Sequence, residues 1–287
     1  MDVESLKTLE LNVLSSFDDF YVPKHISLPQ LKRLKLGGVT FSKDYNHELL
    51  SLSNCPVLQD LTLECCRWVD VRSFCISAPS IEHLKIISAP NGGDEQDDRD
   101  YISGLRDSSL KIHAPRLVSL TYKDSIPKNF VLSSSLTLAE ADVDELYFWG
   151  NHATETREQQ IGVGAAAIRF LQLLSHVKVL SIADRLLKLN VSAEANDGKA
   201  LVALLRSTPI LESLVFNETV SSKQFTGEDL EMWWVKLILE KAKALQTMTI
   251  FHYVDDDDPT AKDKEEVGAG LSSLFKASAT SYVLNFS

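Results

Sequence analysis

Several residue groups in this chain have types that could do chemistry, and their spacing decides which chemistry is open to them. Cys55, Cys65, Cys66 and Cys75 crowd into one short stretch of the 287-residue sequence. Thiolates at such density could hold a metal, but no two of them form the CxxC pair that structural zinc sites use. A secreted disulfide framework would spread its cysteines along the chain. They read as reduced thiols, with Cys55 just before Pro56 where a small buried side chain fits. Nucleophilic catalysis needs a base beside the nucleophile and a third group to orient it. The histidines, His25, His47, His83, His113, His152, His176 and His252, are scattered, and neither GxSxG nor HExxH occurs. The run 162–167, GVGAAA, has the outline GxGxxA, but the residues before it, TREQQ, are polar and helix-prone where a dinucleotide site requires a strand. Small residues packing a helix explain it better. Asp255 to Asp258 could attract a divalent cation, yet the alternating ligands and central Gly of a calcium loop are missing. That segment (255–266) and the run 91–100, NGGDEQDDRD, read as solvated acidic loops. The expectation is therefore no catalytic residues, no cofactor, no metal and no enzyme. Trp233 and Trp234 are neighbours on an expected helix, so they diverge by roughly 100° and one could face a partner, although packing explains both.

What organises the chain is a repeat. The pattern LxxLxL begins at positions 6, 31, 58, 81, 117, 138, 177, 211 and 245, and a Pro stands two residues ahead of the copies at 31, 58, 81, 117 and 211. The early spacings match the roughly 20–29-residue period of leucine-rich repeats, and the later, longer ones imply inserted loops or helices. Each copy predicts a short strand with alternate side chains inward. One repeat cannot bury its own leucines, so stacked repeats must do it together. The Pro is expected to stop the preceding segment and set an extended entry to the strand. Helices are expected at 47–56, 154–175, 197–206 and 227–244, the last with Leu230, Leu237 and Ile238 on its apolar face. The resulting fold class is α/β, a curved leucine-rich-repeat solenoid with parallel strands on the concave side and helices and loops on the convex side. Residues 1–206 form the repeats, and 207–287 continue the same solenoid.

Strand alternation then nominates a binding surface. If Leu34 and Leu36 point inward, Arg33 and Lys35 point outward, and the same register exposes Asp60, Thr62, Glu64, His83, Lys85, Thr121 and Lys123. These are the candidate protein-binding residues of the concave face. Arg33, Lys35, His83, Lys85 and Lys123 lend it a basic tendency that could receive an acidic or phosphorylated peptide, against the plainer reading of solubilising charges. The net charge of −11 argues against nucleic acid and against acidic membranes as partners. No stretch approaches the roughly 20 apolar residues of a membrane helix, and the N-terminus lacks the pattern of a signal peptide. The expected location is cytoplasmic or nuclear, and the sequons at Asn190, Asn217 and Asn285 read as chance matches.

The segments SNCPVLQDLTLECCRWVD (53–70), CISAPSIEHLKI (75–86) and KIHAPRLVSLTY (111–122) resemble the repeats of plant F-box proteins with leucine-rich repeats. STPILESLVF (207–216) and LFKASATSYVLNF (274–286) are similar to the FBD region that closes many of them. The resemblance covers nearly the whole chain and is most specific before position 125. It implies the substrate-recognition part of an SCF-type E3 ubiquitin ligase, binding a protein substrate. Members normally open with an F-box that docks on a Skp-type adaptor. Here LPQLKRLKL, from Leu28, is a repeat strand, so the F-box is expected to be absent and the adaptor to be a partner only of a longer form. A ligase-independent scaffold or decoy, or a hormone sensor, would use the same fold.

Overall fold

The structure is a computed structural model, and it describes residues 5–13, 20–23, 26–42, 49–88, 105, 108–124, 126–133, 135–143, 166, 169–170, 172–183, 208–217, 229–242, 244–252, 264–276 and 281–286. The chain forms two compact units: Met1–Leu138 with Leu146–Leu173, and Ala139–Glu145 with Leu174–Ser287. The expected division at 206/207 falls outside the described residues.

The first unit is built on five parallel strands in the order β1 (Thr8–Asn12), β2 (Arg33–Gly37), β5 (Asp60–Glu64), β8 (His83–Ile87) and β10 (Ser119–Lys123). Each is a predicted LxxLxL copy. The register puts like on like: Leu9 opposite Leu34, then Leu61, Leu84 and Leu120 across successive pairs. Leu34, Leu61, Leu84 and Leu120 are no more than 1% exposed. Leu36, Leu63, Ile86 and Tyr122 form a second buried row, and Leu31, Leu58, Ile81 and Leu117 a third. At β1 the ladder thins, with Leu9 and Leu11 half-buried.

The Pro has a different job from the expected one. In each Pro-led copy the N–H of the first repeat leucine donates to the carbonyl three residues back: Leu31 to Leu28, Leu58 to Cys55, Ile81 to Ala78, Leu117 to Ala114, Leu211 to Thr208. Pro29, Pro56, Pro79, Pro115 and Pro209 therefore occupy the second corner of a four-residue turn. Their fixed φ suits that corner, and their missing N–H is not needed there. Past the turn, one carbonyl of each repeat accepts two N–H groups from the next. Lys7 accepts from Lys32 and Arg33, Lys32 from Gln59 and Asp60, Gln59 from Glu82 and His83. That shared acceptor sets the register before the strand begins.

The far side of the first unit also departs from expectation. Four parallel strands, β11 (Asn129–Ser133), β9 (Ser109–His113), β7 (Ser73–Ser77) and β4 (Leu49–Ser51), make a second sheet in that order. β3 (Thr40–Ser42) and β6 (Arg67–Val69) make a third. The segment 47–56, expected as a helix, instead contributes β4 and a turn. Its Leu49, Leu50 and Ser51 alternate out and in, and Leu50 lies opposite Ile76. Three residues suffice for a strand pairing but not for a cooperative helix. Aromatic rings fill the space between sheets. Phe41 stacks on Trp68 at 4.8 Å, and Phe74 meets both edge-on. Tyr122 packs against Phe130 and Phe170. Phe170 stands on the helix expected at 154–175. Of that segment, Ala166, Arg169, Phe170, Gln172 and Leu173 are described as helical, with Ala166 and Phe170 buried.

The second unit repeats the strand ladder with β12 (Glu140–Val143), β13 (Val179–Ala183), β14 (Ser213–Asn217), β15 (Thr247–His252) and β16 (Ser281–Phe286). Ala141, Leu180, Leu214 and Met248 form its buried row. Helix α1 (Asp229–Lys241) matches the expected helix, burying Val235 and Ile238; the side chains of Trp233 and Trp234 lie outside the described set. Helix α2 (Lys264–Lys276) absorbs the end of the segment read as an acidic loop. Glu265 and Glu266 sit in its first turn, where the helix dipole favours negative charge, and Val267, Leu271 and Phe275 follow at i, i+4 and i+8, all buried. Residues 91–100, 197–206 and 255–263 lie outside the described residues. No helix among the described residues is long and apolar enough to cross a membrane.

Two glycine-type positions follow β2 and β5 of the main sheet. Gly38 has φ +66, and a Cβ there would collide with the Val13 carbonyl. One repeat later Cys65 holds φ 51 with its own side chain. Gly38→Ala should therefore cost at least about 2 kcal/mol, left-handed strain plus the collision. Cys65→Gly should stay within about 1 kcal/mol of the parent, since relief of strain offsets added freedom in the unfolded chain. Leu61→Ala should cost about 2–5 kcal/mol. Denaturant unfolding followed by circular dichroism measures all three, and equal costs for the two turn substitutions would count against the left-handed requirement.

Candidate protein-binding face

Side chains that alternate with the buried ladder stand on the other face of the first unit's main sheet. The register sorts them into rows: Thr8, Arg33, Asp60, His83 and Ser119; then Glu10, Lys35, Thr62, Lys85 and Thr121; then Asn12, Gly37, Glu64, Ile87 and Lys123. All nine residues nominated from sequence lie on this one face. Arg33, His83 and Lys85 are exposed, and Lys35, Asp60, Thr62, Glu64, Thr121 and Lys123 are half-buried. Neighbours within a row are about 4.8 Å apart, the spacing of paired strands, so a ligand lying across the strands would meet one row at a time.

The charges on this face are largely answered from within. Arg33 Nε donates to Asp60 at 3.3 Å across the β2–β5 pair. Lys35 lies between two carboxylates, 2.7 Å from Glu64 and 3.3 Å from Glu10. Hydrogen bonds to Glu64 and then to Glu10 hold the Lys35 ammonium above its ordinary range. Glu10, bonded by the Asn12 amide and by Lys35, is held below the usual carboxylate range. At the strand entries Arg116 bonds Glu82 at 2.9 Å. Such exposed pairs are worth about 0–1 kcal/mol each, so their main effect is on which charges remain available. The basic tendency read from the sequence thus narrows: Arg33 and Lys35 are engaged by Asp60, Glu10 and Glu64. Alternation along a strand exposes a charge, but only the register reveals its neighbour.

In the second unit the corresponding face is of another kind. Its rows are Glu140, Val179, Ser213, Thr247 and Ser281, then Asp142, Ser181, Val215, Thr249 and Val283. Ser213, Thr247 and Thr249 with Val179 and Val215 accompany the carboxylates Glu140 and Asp142. Lys178 and Glu212 pair at 3.1 Å where the strands enter.

Residues 1–216 match the family profile described as the leucine-rich repeats of FBD-associated F-box protein At5g56370. The chain belongs to this F-box/LRR-repeat family. It is similar to the F-box/FBD/LRR-repeat protein At1g78750 of Arabidopsis thaliana, 24% identical over 98% of this chain and 68% of that protein. It is also similar to the F-box/LRR-repeat protein At4g14096 from the same plant, 26% identical over 72% of this chain and 44% of the relative. The F-box protein At4g09920 is 39% identical over 24% of this chain and 22% of its own length. The chain spans about half the length of the curated relatives it matches. The fold is thus the α/β leucine-rich-repeat fold, and the family is one of interaction modules.

Two thiols of this F-box/LRR-family chain, Cys55 and Cys66, serve the fold. Cys55 is buried and donates to the Ile26 carbonyl at 3.7 Å. Cys66 donates to the carbonyls of Leu36 and Glu64 at 3.6 and 3.7 Å, tying the post-strand turn to the neighbouring repeat. Burial pushes its thiol from an ordinary 9.0 up to about 12. A raised value keeps the thiol neutral: at pH 8 about one Cys66 in ten thousand is thiolate. Cys65, next to it, is exposed. With iodoacetamide at pH 8, Cys65 should be alkylated first, while Cys55 and Cys66 should react only as the protein unfolds. Peptide mapping by mass spectrometry measures the order. Alkylation of Cys66 as fast as Cys65 in folded protein would remove the structural role argued for its thiol.

Proposed function

We propose that the exposed face of the first unit's main sheet recognises a protein substrate, and that the chain is the substrate-recognition part of an SCF-type E3 ubiquitin ligase. The observation that carries the reading is the register. Fifteen residues in three rows stand on a rigid parallel sheet, mixing charges, hydroxyls and an amide, and the residues that fix their positions are buried on the opposite side. Recognition surfaces gain from such a scaffold because little order must be imposed on binding. The three relatives described above are named as F-box proteins, which supports the link to a Skp-type adaptor through a longer form carrying an F-box. No catalytic step is assigned to the chain itself. The face offers charges and hydroxyls for binding, and the Cys55 and Cys66 thiols donate to backbone carbonyls. A cytoplasmic or nuclear location, where such ligases meet their substrates, belongs to the same proposal.

The test is affinity capture from plant extract with mass spectrometry, comparing the parent with Thr62→Arg/Thr121→Arg, which fills the middle row. Proteins captured by the parent should be lost from the variant, whose folding is checked by circular dichroism. A form carrying an F-box should add a Skp-type adaptor and a cullin. The same proteins captured by parent and variant would rule out this face. Loss of prey without any adaptor, even from the F-box form, would leave a recognition scaffold outside the ligase.

A further inference from the structure

The ion pairs on the first unit's face divide it. Across β1, β2 and β5 the face carries Glu10, Arg33, Lys35, Asp60 and Glu64, and each cation is in contact with at least one carboxylate. Across β8 and β10 it carries His83, Lys85, Ile87, Ser119, Thr121 and Lys123, with no carboxylate among them. That is a local reversal in a chain with 40 acidic and 29 basic residues. Lys85 is exposed, and among the described residues its ammonium makes no hydrogen bond or ion pair; the same holds for the His83 ring. The register sets Thr62 on one side of Lys85 and Thr121 on the other. Each is about 4.8 Å away, and His83 lies about 6.8 Å along the same strand. An ammonium, two hydroxyls and an imidazole therefore occupy neighbouring positions on one face.

We propose that Lys85, with His83 and the hydroxyls of Thr62 and Thr121, anchors an anionic side chain on an extended segment of the bound protein. This rests on the protein-recognition reading above and names the chemistry of the partner. A carboxylate or phosphate oxygen can accept from the ammonium and from one or both hydroxyls at once, and charge-assisted bonds of this kind are the strong ones. Glu10, Asp60 and Glu64 outnumber Arg33 and Lys35 by one charge, and Asp60 stands opposite His83, so an acidic group is favoured on the β10 side of Lys85. Lys35 is excluded as the anchor because an incoming anion would have to displace two carboxylates from it.

Fluorescence anisotropy tests this with three labelled twelve-residue Gly/Ser peptides bearing three glutamates, three phosphoserines or three lysines. The proteins are the parent, Lys85→Gln, and Lys111→Gln. Lys111 is an exposed lysine on β9 of the second sheet, so its loss changes net charge equally at another place. At least one anionic peptide should bind the parent, more tightly than the lysine peptide, and raising salt should weaken it. Lys85→Gln should weaken that binding about tenfold, the effect of losing one charge-assisted contact, and Lys111→Gln less than about twofold. Preference for phosphoserine or for glutamate names the source of the anion, and either supports the anchor. Equal effects of the two substitutions, or no binding of either anionic peptide at millimolar concentration, would overturn it. If capture from extract still depends on Thr62 and Thr121 in that case, the recognition face stands and only the anchor falls.

Discussion

No single repeat in this protein can bury its own leucines, and every other feature follows from that constraint. A five-residue strand such as Asp60–Glu64 presents two inward leucines and has nothing of its own to cover them. They are covered by Leu34 and Leu36 from one neighbour and by Leu84 and Ile86 from the other. Burial of each leucine is worth about 1.5–3 kcal/mol, gained only if the neighbouring strand sits in the same register. A slip of one residue would turn the whole ladder outward. The turns remove that freedom. Each Pro-led corner closes a hydrogen bond onto the first repeat leucine, and each shared carbonyl takes two N–H groups from the next repeat before pairing begins. Hydrophobic burial selects the register, and backbone hydrogen bonds at the strand entry enforce it.

Once register is set for the core, the opposite face has no freedom left. Arg33 must lie beside Asp60, and Lys35 beside Glu10 and near Glu64, because the leucines between them are stacked. The left-handed turns play a part in this. Gly38 lets the chain pass close to the Val13 carbonyl and deliver its N–H to Glu64, and Cys65 does the equivalent for Ile87. Where Cys66 follows, its thiol bonds back to the adjacent strands, which is why burial rather than reactivity describes it.

The nine repeat strands were legible in the sequence because LxxLxL at repeated spacing has one economical solution. The face residues were legible as well, since period-two alternation places Arg33, Lys35, His83 and Lys85 by arithmetic. What escaped did so for physical reasons. β4, β7, β9 and β11 are strands of the second sheet, and segments such as SFCIS and LLS carry too few residues to distinguish a strand from a turn of helix. The fifth strand of the second unit, SYVLNF, breaks the leucine pattern with tyrosine and asparagine. α2 hid behind an acidic start whose charges suit a helix N-terminus as well as a loop. The ion pairs escaped for a further reason: Lys35 and Glu64 are 29 positions apart in sequence, and only strand pairing makes them neighbours.

The distribution of charge shows why bulk composition is a poor guide to what such a face binds. A net charge of −11 describes how the whole molecule repels distant anions, and at physiological salt that influence fades within about 8 Å. At contact distance a partner meets local arrangements. On the first unit's face those are Lys35 held between two carboxylates and, two strands away, a lysine whose row neighbours are threonines. Pairs like Arg33–Asp60 add little to stability, but they decide which charges a partner can reach. In a repeat fold the same leucines recur from strand to strand, so the outward residues between them can vary without loss of the core. Specificity is then written in which cations the neighbouring strands leave unanswered.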